Sequence, residues 1–502
     1  MDNEFANGIP LIGEKFPEIE VQTTRGKIKL PGEFTGKWLV FLSDDVQIGG
    51  DFLPALRSIF AATPRSLVGH RLIDWRAGWN EFGGRLISYL EGYFLALSRD
   101  LWIEMGGFDP LYAPHDYEDV DLSYAAAQKG IPLLPLHSLP LRHFGAGTIG
   151  QSPVRHNLTT EKRAAFAAKW GWQAVETDWR KVVQRPDVDV VDICVPSYLH
   201  QEIAIAAAQN GKHIFCEKPI AITLSGAREM YAAASKAGVL HYLNHNYRRV
   251  PAVAFARRLI DEGKVGQIYH WRGAYLQDWI MDPNFPLTWQ LRKESAGAGP
   301  QFDLNSHSVD LARYLVGEIA AVAGMSRRFI DERPLPGAGA GTFKSGAAGS
   351  GMGAVTVEDA LFMLADFENG ALGTFEASRF ANGRKNFNSF EIYGSKGSLT
   401  FDMQRMNELQ FMDGSDPSDE QGFRAILVTN DTHPYAGAWW PPGHIIGYEH
   451  TFTHAVADFL TAMAHGTSIS PNFEDGVKGM QVLEAGLLSA SSGQKVNVGD
   501  IH

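Results

Sequence analysis

Asp303 and His307 stand four residues apart in DLNSHSVDLARYL. The Leu and Val spacing of that stretch predicts a helix, which places both side chains on one face. An imidazole titrates close to neutrality, and a carboxylate beside it can orient it, so the pair has the composition of a proton-transfer device. Lys218 follows a short apolar strand in HIFCEKPIA, residues 213–221. It can act as a base only where burial or neighbouring charge lowers its pKa. Taken singly, Asp303 also reads as a helix N-cap, His307 as a satisfied buried histidine and Lys218 as an ordinary strand-end lysine. A G-x-G-x-x-G string, GAGTIG, occupies Gly145–Gly150, and such strings cradle dinucleotide phosphates when they join a strand to a helix.

A chain of 502 residues predicts two to four domains. The formal net charge of −12 excludes a general binder of nucleic acid or anionic membrane, because there is no basic excess to release counterions. The two cysteines, Cys194 and Cys216, fall in predicted strands and read as small buried hydrophobes of a reducing compartment. No apolar run reaches the roughly 18 residues of a membrane span, and the first ten residues lack a signal-peptide core, so a cytoplasmic protein is expected.

From Val188 onward the pattern alternates strand, helix, strand, helix, strand. Val188–Val195 is an apolar run of the buried parallel kind. Gly211 closes the next helix, Thr223 or Ser225 opens the one after it, and Gly238 ends that one. This is half of a doubly wound sheet. Antiparallel signals follow: a hairpin turned at Asn369-Gly370, a second in FEIYGSKGSLTFD, and a late amphipathic helix in EHTFTHAVADFLTAMAHG. Residues 332–354 read as a Gly/Ala-rich surface loop.

VDICVPSYLH, CEKPIA, DLNSHSVDLARYL and FEIYGSKGSL occur in that order, and residues 172–502 thereby closely resemble the glucose–fructose oxidoreductase/inositol dehydrogenase (Gfo/Idh/MocA) family. The resemblance implies an NAD- or NADP-dependent oxidoreductase acting on a sugar or cyclitol hydroxyl, with Lys218, Asp303 and His307 around the reacting carbon. It implies that Pro196, Ser197, His200, Glu217, Lys218 and Asn246 line the cofactor's inner half, and that the chain associates with copies of itself through its C-terminal sheet. Asn305 stands where the family usually has Gly, and Gln290 where it often has Arg, which leaves the substrate class open.

The earlier residues resemble other families. GIPLIGEKFPEIEVQTTRGKIKLP followed by GKWLVF resembles a peroxiredoxin start, yet no cysteine precedes Cys194, so the thiolate such a peroxidase needs is missing. WLVFLSDDVQIGGDF and GGFDPLYAPHDYEDVDLSYAAAQKG resemble the later two-thirds of a family 2 glycosyltransferase with a nucleotide-diphosphosugar-transferase-like α/β fold. That likeness implies a divalent metal near Asp45 and His143 and a carboxylate base at Glu118 or Asp119. Ser43 replaces the family's first metal carboxylate, which weakens the implied site. Without the likeness, Asp44-Asp45 reads as a strand-end turn, and Glu118, Asp119 and Asp121 as a solvated first helical turn.

GAGTIG fits a dinucleotide loop poorly. It is followed by QSPVRHNLTT, helical pattern begins only near Thr160, and no second apolar strand lies between Gly150 and Val188. We read it as a glycosyltransferase tail, and GSGMGA (349–354) as part of the Gly/Ala-rich loop. The expected organisation is a peroxiredoxin-like fragment (1–37), a glycosyltransferase-like fragment (38–171), a partial Rossmann domain (172–249) and a C-terminal α+β domain with a large, mostly antiparallel sheet (250–502). The expected function is a nicotinamide-dependent oxidoreductase impaired by loss of its glycine loop. Glycosyl transfer and a non-catalytic chimera are the alternatives.

Overall fold

The computed structural model describes residues 176–336 and 348–502, together with shorter stretches between Ile19 and Ala174. The chain divides into two units, Met1–Asp178 and Trp179–His502.

In the first unit, Ile19–Thr23 and Gly26–Leu30 form the expected hairpin. Trp38–Leu42 is a strand, as its apolar run requires. It pairs antiparallel with Phe94–Ser98 in a four-stranded sheet completed by Leu67–Gly69 and Leu133–Pro135. The helix Glu118–Gln128 begins at the acidic cluster as read from the sequence. Asp121, however, is buried rather than solvated, and Lys169 Nζ donates to its Oδ2 at 2.8 Å. His143 ends the short strand Leu141–His143. Asp44, Asp45 and Gly145–Gly150 lie outside the described residues. Among the described residues no cluster of His, Cys, Asp and Glu could hold a metal ion, and no helix is long and apolar enough to cross a membrane.

In the second unit, Val190–Ile193, His213–Glu217 and His241–Asn244 form a parallel three-stranded sheet in that order. The helices between them end where the sequence places their stops. Thr223 Oγ1 caps helix Leu224–Ala237 by accepting from Gly226 N, and Gly238 closes it in the left-handed region. Cys216 is buried, Cys194 is partly buried, and both are free thiols. The nine-stranded C-terminal sheet is mixed. Its one parallel contact joins Ile268–Leu276 to Leu372–Ser378 at the middle, and every other neighbour is antiparallel. Trp271, Phe375, Phe390 and Phe401 fill its inner face, each contributing about 1.5–3 kcal/mol by burial. The long helix Phe473–Ser492 packs on that face. Its approach is close enough that a Cβ on Gly324 would lie 2.9 Å from the Gly486 carbonyl oxygen, so the strand Ile319–Arg327 carries glycine there.

The sequence reading of 332–354 as loop fails at both ends. Glu332–Pro336 and Ala348–Ala354 pair antiparallel. Gly353 packs closely in this pair, since a Cβ there would lie 2.6 Å from the Leu287 side chain and 2.9 Å from that of Leu335. Residues 337–347 lie outside the described residues.

Candidate active site

The site is built at the carboxyl ends of the three parallel strands, where open α/β sheets bind ligands. The register pairs Ile193 with Cys216 and Glu217 with Asn244, so the strand ends are level. Pro196 and the buried Ser197 make the turn after the first strand. His200 opens the following helix with its ring between two carbonyls, 2.9 Å from Pro219 O and 2.8 Å from Val195 O. The ring is buried beside the ends of the first two strands and, burial having lowered its pKa, donates its one N–H to one of these carbonyls. Glu217 Oε1 accepts from Asn244 Nδ2 at 2.7 Å and Oε2 from Lys218 N at 3.3 Å, which fixes the backbone that launches Lys218. Asn246 is buried on the turn after the third strand and donates to Thr451 Oγ1 at 2.8 Å, tying that turn to helix Glu449–His465.

The Asp303–His307 segment is not one continuous helix. Pro300–Asp303 forms a single turn, Leu304 breaks it, and Asn305–Leu315 resumes. Glu358 holds the start of the turn, its carboxylate accepting from Gly299 N at 3.1 Å and Gln301 N at 2.9 Å. Because His307 N donates to Leu304 O, the Asp303 carbonyl is released from the helical ladder. Lys218 Nζ takes it at 2.9 Å and reaches Asp303 Oδ1 at 3.0 Å. Asp303 Oδ2 accepts from Arg379 Nη2 at 2.9 Å. The expected hydrogen bond from Asp303 to His307 is therefore not made, since both carboxylate oxygens serve cations. Packing orients His307 instead. Its ring stacks on Tyr247 at 4.2 Å and meets His245 and Tyr275 edge-on at 5.7 Å. The Tyr247 and Tyr275 hydroxyls are 2.7 Å apart, and Tyr275 donates to Asn386 Oδ1 at 2.7 Å. His307 Nδ1 is buried with no hydrogen-bond partner among the described residues.

Burial alone would raise the Asp303 carboxyl, but the Lys218 and Arg379 cations override it and hold it well below the usual range. Burial, reinforced by the charge of Lys218, pushes His307 well below the ordinary imidazole value. The site thus presents an ammonium, a fixed carboxylate and a neutral imidazole. A hydroxyl placed among them would have a cation for its oxygen and a lone pair for its proton.

His245 is pushed down to about 4, chiefly by burial, with Arg248 and Lys218 adding to the shift and Asp310 and Asp475 opposing it. Between pH 6.5 and 4 the unfolded chain protonates this imidazole and the folded one does not. Its stabilising contribution is therefore full above pH 6.5 and falls as pH drops toward 4. The His245→Phe variant is expected to narrow the stability difference between pH 7 and pH 5 by about 2 kcal/mol in urea unfolding. An unchanged difference would show that His245 titrates normally.

Arg379 and Glu358 were not legible as site residues. Arg379 lies 76 positions from Asp303, and nothing local links them. The available signal was a lone arginine closing an apolar hairpin strand, since a buried charge must find a partner. Asn305, where the family usually has Gly, is buried, and its Nδ2 donates to Gln301 Oε1 at 2.8 Å, so it braces the broken helix. Gln290 is buried, and its carbonyl lies 3.4 Å from Arg379 Nη1.

Residues 156–245 match the oxidoreductase family with an NAD-binding Rossmann fold, and residues 253–400 match the GFO/IDH/MocA C-terminal domain. A levoglucosan dehydrogenase of Pseudarthrobacter phenanthrenivorans is 42% identical over 366 residues, covering 72% of this chain and 94% of that protein. The chain belongs to the Gfo/Idh/MocA oxidoreductase family. Among solved structures, an oxidoreductase domain protein from Kribbella flavida aligns at TM-score 0.63 and 49% identity, covering 66% of this chain and 87% of that one. Levoglucosan dehydrogenase in complex with NADH aligns at TM-score 0.62 and 43% identity, covering 67% and 86%. The Gfo/Idh/MocA assignment makes the chain an NAD-binding dehydrogenase. The residues present fit the nicotinamide end of that cofactor: level strand ends, the Pro196-Ser197 turn, and a cation, a carboxylate and a neutral imidazole beside them. The peroxiredoxin and glycosyltransferase resemblances of the earlier residues rest on their sequence motifs alone.

Proposed function

We propose that the chain oxidises a secondary hydroxyl of a sugar, an anhydrosugar of the levoglucosan kind being the preferred candidate. Bound NAD supplies the hydride acceptor. The protein's part is to hold the hydroxyl oxygen against Lys218 Nζ and to take its proton on His307, while Asp303 fixes the ammonium. The observation that carries this reading is the Asp303 carboxylate shared between Lys218 and Arg379 beside the His307 ring, whose Nδ1 has no hydrogen-bond partner among the described residues. The substrate preference rests on the levoglucosan dehydrogenase similarity, and levoglucosan, L-sorbose and myo-inositol are the panel to assay at millimolar NAD and NADP. NADH formation with levoglucosan above that with myo-inositol supports the reading. Equal and negligible rates across the panel would remove it.

Cofactor affinity is expected to be low. No strand–glycine-turn–helix unit is legible before Val188, and the parallel sheet has three strands among the described residues. Two lost backbone hydrogen bonds to a pyrophosphate would cost about 3–6 kcal/mol, or roughly two to four decades of affinity. Fluorescence titration should give an NADH dissociation constant above the low micromolar range. Tight binding abolished by Gly145→Val or Gly147→Val would instead make GAGTIG the phosphate cradle.

The outer face of the large sheet also supports self-association. Met325, Phe362, Leu364 and Leu372 are all exposed. Met325 and Phe362 are register partners, and Leu364 and Leu372 share their face. An apolar patch of this kind on a sheet fits a second copy of the chain. Leu364→Arg is expected to convert an oligomer to monomer in analytical ultracentrifugation. A parent chain that is already monomeric would contradict this.

A further inference from the structure

Arg379 is held inside the protein at a cost that its surroundings only partly offset. Its side chain is 1% exposed, its Nε has no hydrogen-bond partner among the described residues, and its guanidinium lies 5.5 Å over the Trp279 ring. Nη2 donates to Asp303 Oδ2 at 2.9 Å, and the contact of Nη1 with Gln290 O is long at 3.4 Å. The backbone is anchored separately by Arg379 N donating to Asp359 O at 3.1 Å. A buried ion pair is poor value for stability, and apolar side chains of similar volume often replace one without loss. What Arg379 does supply is local. Asp303 carries one negative charge, Lys218 and Arg379 carry two positive charges, and both carboxylate oxygens are occupied. These three side chains sum to one positive charge, the Glu358 and Asp359 carboxylates also lie within electrostatic reach of Arg379, and Asp303 cannot rotate without breaking an ion pair.

We propose that Arg379 is a positioning residue of the dehydrogenase site, which locks Asp303 so that its other oxygen steers Lys218, and which shares the Asp303 charge so that the Lys218 ammonium stays available to stabilise the alkoxide formed as the substrate hydroxyl loses its proton. Its role in turnover rests on the dehydrogenase reading above, whereas its hold on Asp303 does not. A preorganised charge facing developing negative charge acts on the transition state more than on ground-state binding.

The test pairs R379M with R379K and uses two readings. The first is the carboxyl titration of Asp303, followed by 13C NMR of aspartate-labelled full-length protein and assigned by difference from D303N. In the parent and in R379K the Asp303 signal should stay ionised throughout the folded range. In R379M its midpoint should rise by at least one pH unit. The second is steady-state oxidation at saturating NAD. In R379M kcat should fall about 10²-fold with the sugar KM changed less than threefold, and R379K should recover most of the loss. An unmoved Asp303 midpoint in a folded R379M, with only a lowered melting temperature, would overturn the proposal. So would a loss that falls on KM alone. Should R379M fail to fold, R379K decides: an Asp303 titrating in the ordinary carboxylate range there overturns the proposal, and a depressed one with near-parent kcat supports it. If the parent has no turnover, the dehydrogenase reading fails while the NMR titration still judges the hold of Arg379 on Asp303.

Discussion

Lys218→Met is expected to lower kcat for NAD-linked sugar oxidation by about 10²–10⁴-fold while leaving the melting temperature within a few degrees of the parent. The magnitude follows from what the ammonium faces. Its three protons are directed to the Asp303 carbonyl at 2.9 Å, to Asp303 Oδ1 at 3.0 Å and, in the proposed reaction, to the substrate oxygen. A positioned proton-transfer group is worth about 10²–10⁴ in rate, and a donor aimed at developing oxyanion charge is worth a similar amount. Methionine keeps the length and removes the charge. Asp303 retains its bond to Arg379, so the carboxylate is not stranded and the fold should survive. His307→Gln should cost a comparable factor and, unlike Lys218→Met, should change the pH dependence of kcat. A Lys218→Met enzyme within threefold of the parent would exclude the lysine from the chemistry.

Asp310→Ala should be the most destabilising single change near the site, by about 3–5 kcal/mol. Arg248 donates to both Asp310 oxygens, Nε to Oδ2 at 2.8 Å and Nη2 to Oδ1 at 2.6 Å, and the two side chains are 4% and 5% exposed. Deleting the carboxylate leaves a buried guanidinium supported mainly by Ser470 Oγ at 2.9 Å, with Asp475 farther off at 3.6 Å. The consequence reaches the site because Asp310 lies on the same helix as His307, Asn305–Leu315. Urea unfolding measured on both proteins at pH 7 checks this. A cost below 1 kcal/mol would mean that Asp475 substitutes fully for Asp310.

The sequence was informative where structure is decided locally. Thr223 and Gly238 bound their helix because a hydroxyl acceptor and a left-handed glycine satisfy helix ends wherever they occur. Asn369-Gly370 turns its hairpin because Gly370 takes a positive φ of 87° at no steric cost. Glu217-Lys218 marks a strand end because the apolar run stops there. What the sequence did not disclose is non-local. The break at Leu304 looks helical by periodicity and exists because the freed Asp303 carbonyl is claimed by Lys218, 85 residues earlier. His200 has the polarity of a cofactor contact, and the sequence does not show that its ring lies buried between the Pro219 and Val195 carbonyls. Glycine-rich sequence at 348–354 suggested a loop, whereas it forms a strand whose Gly353 packs closely on Leu287 and Leu335. Of the glycosyltransferase-like motifs, Asp45 and the residues after His143 fall outside the described residues, and His143 itself closes a strand.

We propose that this chain moves a hydride from a sugar carbon to NAD with Lys218, Asp303 and His307 around the reacting hydroxyl. It is tested most directly by incubating the full-length protein with millimolar NAD and levoglucosan deuterated at its ring carbons, then measuring the isotope content of the NADH by mass spectrometry. The parent protein is expected to form singly deuterated NADH, and Lys218→Met to form it at an initial rate about 10²–10⁴-fold lower. Unlabelled NADH, or equal deuterium transfer by the parent and Lys218→Met, would contradict it.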